Sequence, residues 1–174
     1  MTVRVLAGLM IILVASAPAT AFAAADVAAI DARIQKAADA FRGVDKPGDS
    51  GLTGLRLLTE AAALAAPDSD LSGDCKKKIV EAEQVFRTSG RLDSHGVDLL
   101  NQAYSLAHSG RPFRMPEGIA SIKQATDYAL KQLGAARGQL KGGKVSDCVR
   151  TVLEVIAMII TPMPASGDAD SPAL

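Results

Sequence analysis

The chain lacks tryptophan, and aromatic residues make up only 3% of its 174 residues. β-Strands draw on aromatic and β-branched side chains, so this shortage argues against a β-sheet. Strict alternation of apolar and polar residues persists nowhere, and the Asn-Gly and Asp-Gly turns that join hairpin strands are absent. The sequence therefore predicts an all-α fold, a single-domain helical bundle of about five to six helices with no β-sheet.

Neither sign of charge is in excess. Lys and Arg together number 19, as do Asp and Glu, so the formal net charge is zero. Proteins that bind nucleic acid concentrate positive charge to meet the phosphates. The balance therefore predicts no nucleic-acid partner.

Residue patterns that carry catalysis, metal binding or cofactor binding are also missing. Neither the nucleophile elbow of hydrolases nor a phosphate-binding or dinucleotide-binding glycine pattern occurs. The only histidines, His95 and His108, point in different directions on one helix and cannot share a metal there. The sequence thus predicts no metal site and no cofactor, and it favours a protein that is not an enzyme. Copper(I), which binds methionine sulfur, is an alternative for Met115, Met158 and Met163.

Residues 145–161 form the most apolar stretch outside the N-terminal segment, yet they are too few to cross a bilayer. A helix of that length rises about 25 Å, and the hydrocarbon core is about 30 Å thick. Arg150 and Glu154 also lie within the stretch, and each is costly at mid-bilayer. The sequence predicts a central helix of a soluble bundle, not a membrane span, in which Arg150 and Glu154 form a buried ion pair.

The first 23 residues have the features of a secretory signal peptide. Arg4 precedes an apolar run that Pro18 interrupts, and Ala21 and Ala23 provide a cleavage signal of small residues. Cleavage after Ala23 fits best, with cleavage after Ala25 as the second choice, and a retained anchor is disfavoured by the short run. We therefore expect a periplasmic or secreted protein, with the bundle over residues 24–163 and a disordered tail over residues 164–174.

Six segments of helical periodicity follow the predicted signal peptide. The first two cover residues 26–41 and 52–66. The third and fourth begin near residues 74 and 93, and the fifth and sixth cover residues 116–141 and 145–161. The fifth has proline at its start and a heptad seam, which predicts shallow packing angles. Gly134 and Gly138 lie on another side of this helix, where we expect a neighbouring backbone to approach closely.

The chain has two cysteines, Cys75 and Cys148, each directly after an aspartate at a predicted helix start. An oxidising compartment favours one disulfide between them, and two free thiols are the alternative. A disulfide would place the starts of the third and sixth helices at the same end of the bundle. Either one connection would then have to run along the bundle, or one helix would have to pack across it, and residues 110–116, with two prolines, are the best candidate for such a connection.

Two surfaces are candidates for binding. The loop that carries Arg111, Phe113, Arg114 and Met115 mixes cationic and apolar side chains, as binding surfaces do, although Phe113 would also serve to plug the bundle end. Lys76, Lys77 and Lys78 form a basic patch that would stabilise a thiolate at Cys75 if that residue were unpaired. The alternative is an ordinary solvated face.

The favoured function is that of an exported, soluble, non-enzymatic binding or scaffold module for a protein or small apolar ligand. One alternative is a metal- or redox-responsive periplasmic protein that uses Cys75 and Cys148. Another is a carrier that holds a small apolar ligand in a cavity beside the sixth helix.

Overall fold

A computed structural model of the protein describes residues 24–42 and 49–162, which form six α-helices, one 3-10 turn and no strand. The all-α prediction is thereby confirmed. The predicted signal peptide over residues 1–23 and the predicted tail over residues 164–174 lie outside the described residues. The helices are α1 (Ala24–Arg42), α2 (Asp49–Ala65), α3 (Gly73–Ser89), α4 (Ser94–Ala107), α5 (Ile122–Lys141) and α6 (Val145–Ile160).

The helices pack in two layers of three. Helices α1, α2 and α3 lie side by side in one layer, and α5, α6 and α4 lie in the other, so that α1 faces α5, α2 faces α6 and α3 faces α4. Helices α2 and α6 therefore occupy the middle of their layers. The bundle amounts to two four-helix squares that share the α2–α6 pair.

Polar caps set the starts of three helices. Ser72 accepts a hydrogen bond from the backbone of Cys75, Asp93 accepts two from the first turn of α4, and Ser121 accepts one from Gln124. These bonds satisfy amide groups that a helix start would otherwise leave unpaired. The sequence pattern offers Asp93 or Ser94 as the start of α4 and Asp74 as the cap of α3; the structure has Asp93 as the first cap and Ser72 as the second.

Helix α5 starts later than the proline at position 116 predicts. Gly118 has a positive φ of 84°, which a continuing helix does not tolerate, and the helix begins only after Ser121. Gly134 and Gly138 have no atom within 4 Å of an added Cβ. The predicted close approach of a backbone is therefore wrong, because this side of α5 faces open space.

Helix α6 is confirmed as a central helix, since Val149, Leu153 and Ile156 are fully buried. The predicted ion pair on its polar seam is wrong. Arg150 instead binds Asp70 at 2.9 Å, and Glu154 accepts a hydrogen bond from a tyrosine of α5. Within residues 24–42 and 49–162, no helix combines the length and the hydrophobicity that a membrane crossing requires.

The predicted disulfide is also wrong, because Cys75 and Cys148 are both buried free thiols. Helices α3 and α6 lie on the diagonal of one four-helix square, with α2 and α4 between them, and do not contact each other. The Cys75 thiol instead lies 3.4 Å from the carbonyl oxygen of Ala103 on α4. The diagonal arrangement therefore keeps the two sulfurs apart.

The topology that the disulfide implied is nevertheless present. The Ser146 hydroxyl, at the start of α6, accepts a hydrogen bond from the Asp70 amide, just before α3. At the same end, Arg150 donates to the carbonyl of Ala107, the last residue of α4. Because α5 runs antiparallel to α6, it begins at the other end. The connecting segment, residues 108–121, therefore runs along the bundle, as predicted for residues 110–116.

Candidate functional site

An apolar cleft opens at the end of the bundle where α1 and α6 finish and where α2 and α5 begin. Its volume is about 290 Å³. Seven apolar side chains of the described residues line it, and they come from α1, α5, α6 and the second residue after α6: Phe41, Ile122, Ala125, Ala129, Met158, Ile159 and Pro162. The cleft therefore lies beside the final turns of the central helix.

Small residues on α5 create the space. The buried seam of α5 carries Leu133 and Leu140 in its second half, where the side chains fill the gap to the neighbouring helices. In its first half Ala125, Thr126 and Ala129 line the cleft and are too short to do so, whereas Ile122, the first residue of the helix, stands at the mouth. The difference in side-chain volume along one helix thus opens one end of the bundle.

Phe41 forms a fixed wall of the cleft. Its ring packs against Gly54 on α2, where an added Cβ would collide with the ring. Phe41 and Met158 are buried, whereas Ile122 is 51% exposed and stands at the mouth. The cleft therefore has a rigid aromatic side, a flexible thioether and an apolar rim. Methionine adapts to ligand shape because its side chain is unbranched and polarisable.

No charged side chain belongs to the lining that the structure describes, and its only polar side chains are those of Thr126 and Thr161. The Thr161 hydroxyl donates a hydrogen bond of 2.7 Å to the carbonyl of Ala157. Two cations follow lining residues in the chain, but Arg42 is exposed and paired with Asp39, and Lys123 is exposed. The part of the lining that the structure describes is thus electrostatically neutral.

The predicted binding loop lies on the connecting segment. Phe113 and Met115 are half-buried and pack against the core. The ring of Phe113 meets Tyr104 edge-on, with 5.5 Å between centroids. Arg111 and Arg114 are exposed. The structure thus separates the loop into two inward apolar side chains and two outward cations, none of which lines the cleft.

The predicted basic patch begins α3, at the end of the bundle opposite the cleft. Lys76 donates a hydrogen bond of 3.1 Å to the carbonyl of Pro67. Lys77 lies 3.8 Å from Glu81, and Lys78 is half-buried. Two of the three lysines thus have partners within the protein.

The two thiols are in an environment that disfavours reaction. Burial raises the pKa of the Cys75 thiol, and the nearby charges of Arg150 and Lys76 only partly oppose it. Burial likewise raises the pKa of Cys148 to about 12. The thiolate is the reactive form of cysteine, so a raised pKa makes each thiol less reactive. The neighbouring lysines had suggested the opposite, a stabilised thiolate at Cys75.

The histidines and methionines are dispersed. The Nδ1 atom of His108 lies 2.9 Å from the carbonyl of Tyr104, on whose ring it stacks, and His95 is exposed. Met158 lines the cleft, Met115 is on the connecting segment, and Met163 lies outside the described residues. In the part of the chain that the structure describes, no three His, Cys, Asp or Glu side chains are grouped to hold a metal.

The sequence hypothesis of an apolar cavity beside the sixth helix did not name the residues of this cleft, although one signal was present. Alanine and threonine replace larger aliphatic residues in the first half of the α5 seam. The other walls come from helices far apart in the chain, which no local pattern brings together. The chain matches no protein-family model, no curated protein and no solved structure.

Proposed function

We propose that this protein is a non-enzymatic binding protein that holds a small apolar ligand in the cleft at the end of the bundle. The observation that carries the proposal is the cleft itself, with about 290 Å³ of space and a lining of apolar side chains. Small-molecule sites are concave, mostly apolar and typically about 300–1,000 Å³ in volume. The cleft lies at the lower limit of that range, which suits a compact ligand.

The lining offers favourable contacts to such a ligand. Ile122 at the mouth is 51% exposed, and a ligand over it would remove apolar surface from water. Each 100 Å² of apolar surface removed is worth roughly 2.5 kcal/mol, before the cost of association is subtracted. Phe41 is fixed by its packing against Gly54, so little ordering of that wall is required on binding.

The proposal includes export to the periplasm or the exterior, which rests on the signal features of residues 1–23. Helix α1 begins at Ala24, so cleavage after Ala23 leaves every described helix intact. Cleavage after Ala25 would remove the first two residues of α1. Intact mass of the protein from a periplasmic fraction distinguishes the two products, and an uncleaved chain in the cytoplasm would contradict export.

Fluorescence titration tests the ligand proposal. N-phenyl-1-naphthylamine, a neutral apolar dye, brightens when it leaves water, and we expect saturable binding by the protein. Thr126→Trp places a large ring in the cleft and should weaken dye binding at least tenfold. Gln102→Trp adds the same ring on the exposed face of α4 and should leave binding unchanged. Equal affinity of both folded variants and the parent protein would show that the cleft is not the site.

A further inference from the structure

We infer that the ligand of this cleft is uncharged and carries one hydrogen-bonding group, of the hydroxyl or carbonyl class, which pairs with the hydroxyl of Thr126. The inference rests on the proposed function and adds the chemical class of the ligand. It also assigns Thr126 as the residue that determines specificity.

The Thr126 hydroxyl differs from that of Thr161, the other threonine of the described lining. Thr59, Thr88 and Thr161 each donate to the backbone carbonyl four residues earlier, at 2.9, 2.8 and 2.7 Å. Thr126 forms no such bond, and its hydroxyl has no protein partner within residues 24–42 and 49–162. Because Thr126 lines the cleft, its donor and acceptor capacity is available to a bound molecule.

The second polar side chain of the lining cannot take this role as readily. The proton of the Thr161 hydroxyl is already donated to Ala157, which leaves only acceptor capacity. The lining therefore provides one free donor in an otherwise apolar space. A ligand hydroxyl or carbonyl placed at Thr126 would form a hydrogen bond there, and its remaining atoms would contact apolar side chains.

The absence of charge within the lining argues against an ionic ligand. An ion moved from water into an apolar site loses its hydration and needs a counter-charge to compensate. Arg42 is paired with Asp39, and Lys123 is exposed outside the lining. The described lining therefore offers no counter-charge to an anionic or a cationic ligand, whereas a neutral ligand needs none.

A matched naphthalene series tests the inference. We expect 2-naphthol to bind roughly 3- to 10-fold more tightly than naphthalene, the factor that corresponds to one net hydrogen bond. 2-Naphthoate and the 2-naphthylmethylammonium ion should bind more weakly than either. Thr126→Val, which keeps the side-chain shape and removes the hydroxyl, should equalise naphthol and naphthalene. Thr88→Val on α3 is the matched control and should preserve the difference.

The outcomes separate the two proposals. Tighter binding of either ion, or a naphthol preference that survives Thr126→Val, overturns the inference and leaves an apolar-ligand protein. No binding by any member, together with no effect of Thr126→Trp on the dye, overturns the proposed function itself. The same titrations on a chain that ends at Pro162, a lining residue, show whether residues 163–174 compete for the cleft. If the preference for 2-naphthol over naphthalene appears only in that shorter chain, the inference is overturned for the intact protein.

Discussion

The hydroxyl of Tyr128 on α5 donates a hydrogen bond of 2.7 Å to Oε1 of Glu154 on α6. The sequence had suggested Arg150, one turn earlier on the same helix, as the partner of this carboxylate. One turn closer to the start of α6, Thr151 is likewise bonded to Gln139 of α5, at 3.0 Å. Two polar side chains of the central helix are therefore bonded to α5, whereas Arg150 bonds to Asp70, to the carbonyl of Ala107 and, within α6, to Asp147.

Replacement of Tyr128 by Phe should lower the free energy of unfolding by about 1 kcal/mol, since one hydrogen bond to a half-buried carboxylate is lost. Burial, and then the bond to Glu154, raise the pKa of Tyr128 above its ordinary value of 10.0. The contribution of the hydroxyl is thus complete below pH 10 and disappears as the pH rises through the raised pKa. Urea denaturation of the parent protein and the Tyr128→Phe variant from pH 7 to 11 measures the difference in their free energies of unfolding. A difference that grows above pH 10 would contradict the prediction.

The pair formed by Asp31 and Arg137 should have the opposite pH dependence. Arg137 holds the carboxylate at 2.6 and 3.0 Å. Its hydrogen bonds, then its charge and that of Lys141, lower the pKa of Asp31 below 3.8, against the effect of burial. Arg137→Gln should cost about 1 kcal/mol at pH 7. That cost should vanish as the pH falls below 3.8 and through the lowered pKa.

Arg87→Gln is the control for that experiment. Arg87 is 66% exposed and lies 3.5 Å from Glu83 on the same helix, so its loss should change the free energy of unfolding by no more than about 0.5 kcal/mol. If both arginine variants were equally stable at pH 7, the Asp31–Arg137 pair between α1 and α5 would contribute nothing to the free energy of unfolding.

The same glycine-to-alanine change should have opposite effects on two helices. At Gly96 an added Cβ would lie 2.8 Å from Cζ of Phe86, a fully buried ring, so we expect a loss of about 1–3 kcal/mol from overpacking. At Gly134 the added atom meets nothing within 4 Å, so better helix propensity should raise stability by up to about 1 kcal/mol. Thermal or urea denaturation of the two variants checks both signs.

The thiols of Cys75 and Cys148 should not react with dithionitrobenzoate in the native protein, because both are buried and burial raises the pKa of each. In denaturant without any reductant, both should react at once. Reaction in denaturant only after a reductant is added would mean that a disulfide forms in the natural compartment. Cys75→Ala should then leave one reactive thiol in denaturant.

The helices could be predicted from the sequence because their signals are local. Apolar residues three and four apart define α6, and Asp93 and Gly90 mark the boundaries around α4 and α3. The start of α5 was misplaced because Pro116 is a good first-turn residue. The positive φ of Gly118 and the cap at Ser121 outweigh it.

The disulfide and the cleft could not be predicted in the same way. The disulfide was predicted only from the number of cysteines and from the predicted compartment, whereas the diagonal positions of α3 and α6 depend on the packing of all six helices. The cleft depends on the side-chain volumes of four helices at once. The path of the connecting segment was predicted correctly from a disulfide that does not form, since both features require α3 and α6 to start at one end.

The position of α6 has a consequence for the order of folding. Of the two shared helices, α6 follows the other five described helices in the chain, so those five are synthesised before either square has a complete interior. Neither half of the molecule can then complete its core while the C-terminal part is still being synthesised. Cooperative folding should therefore begin only when residues 145–160 become available.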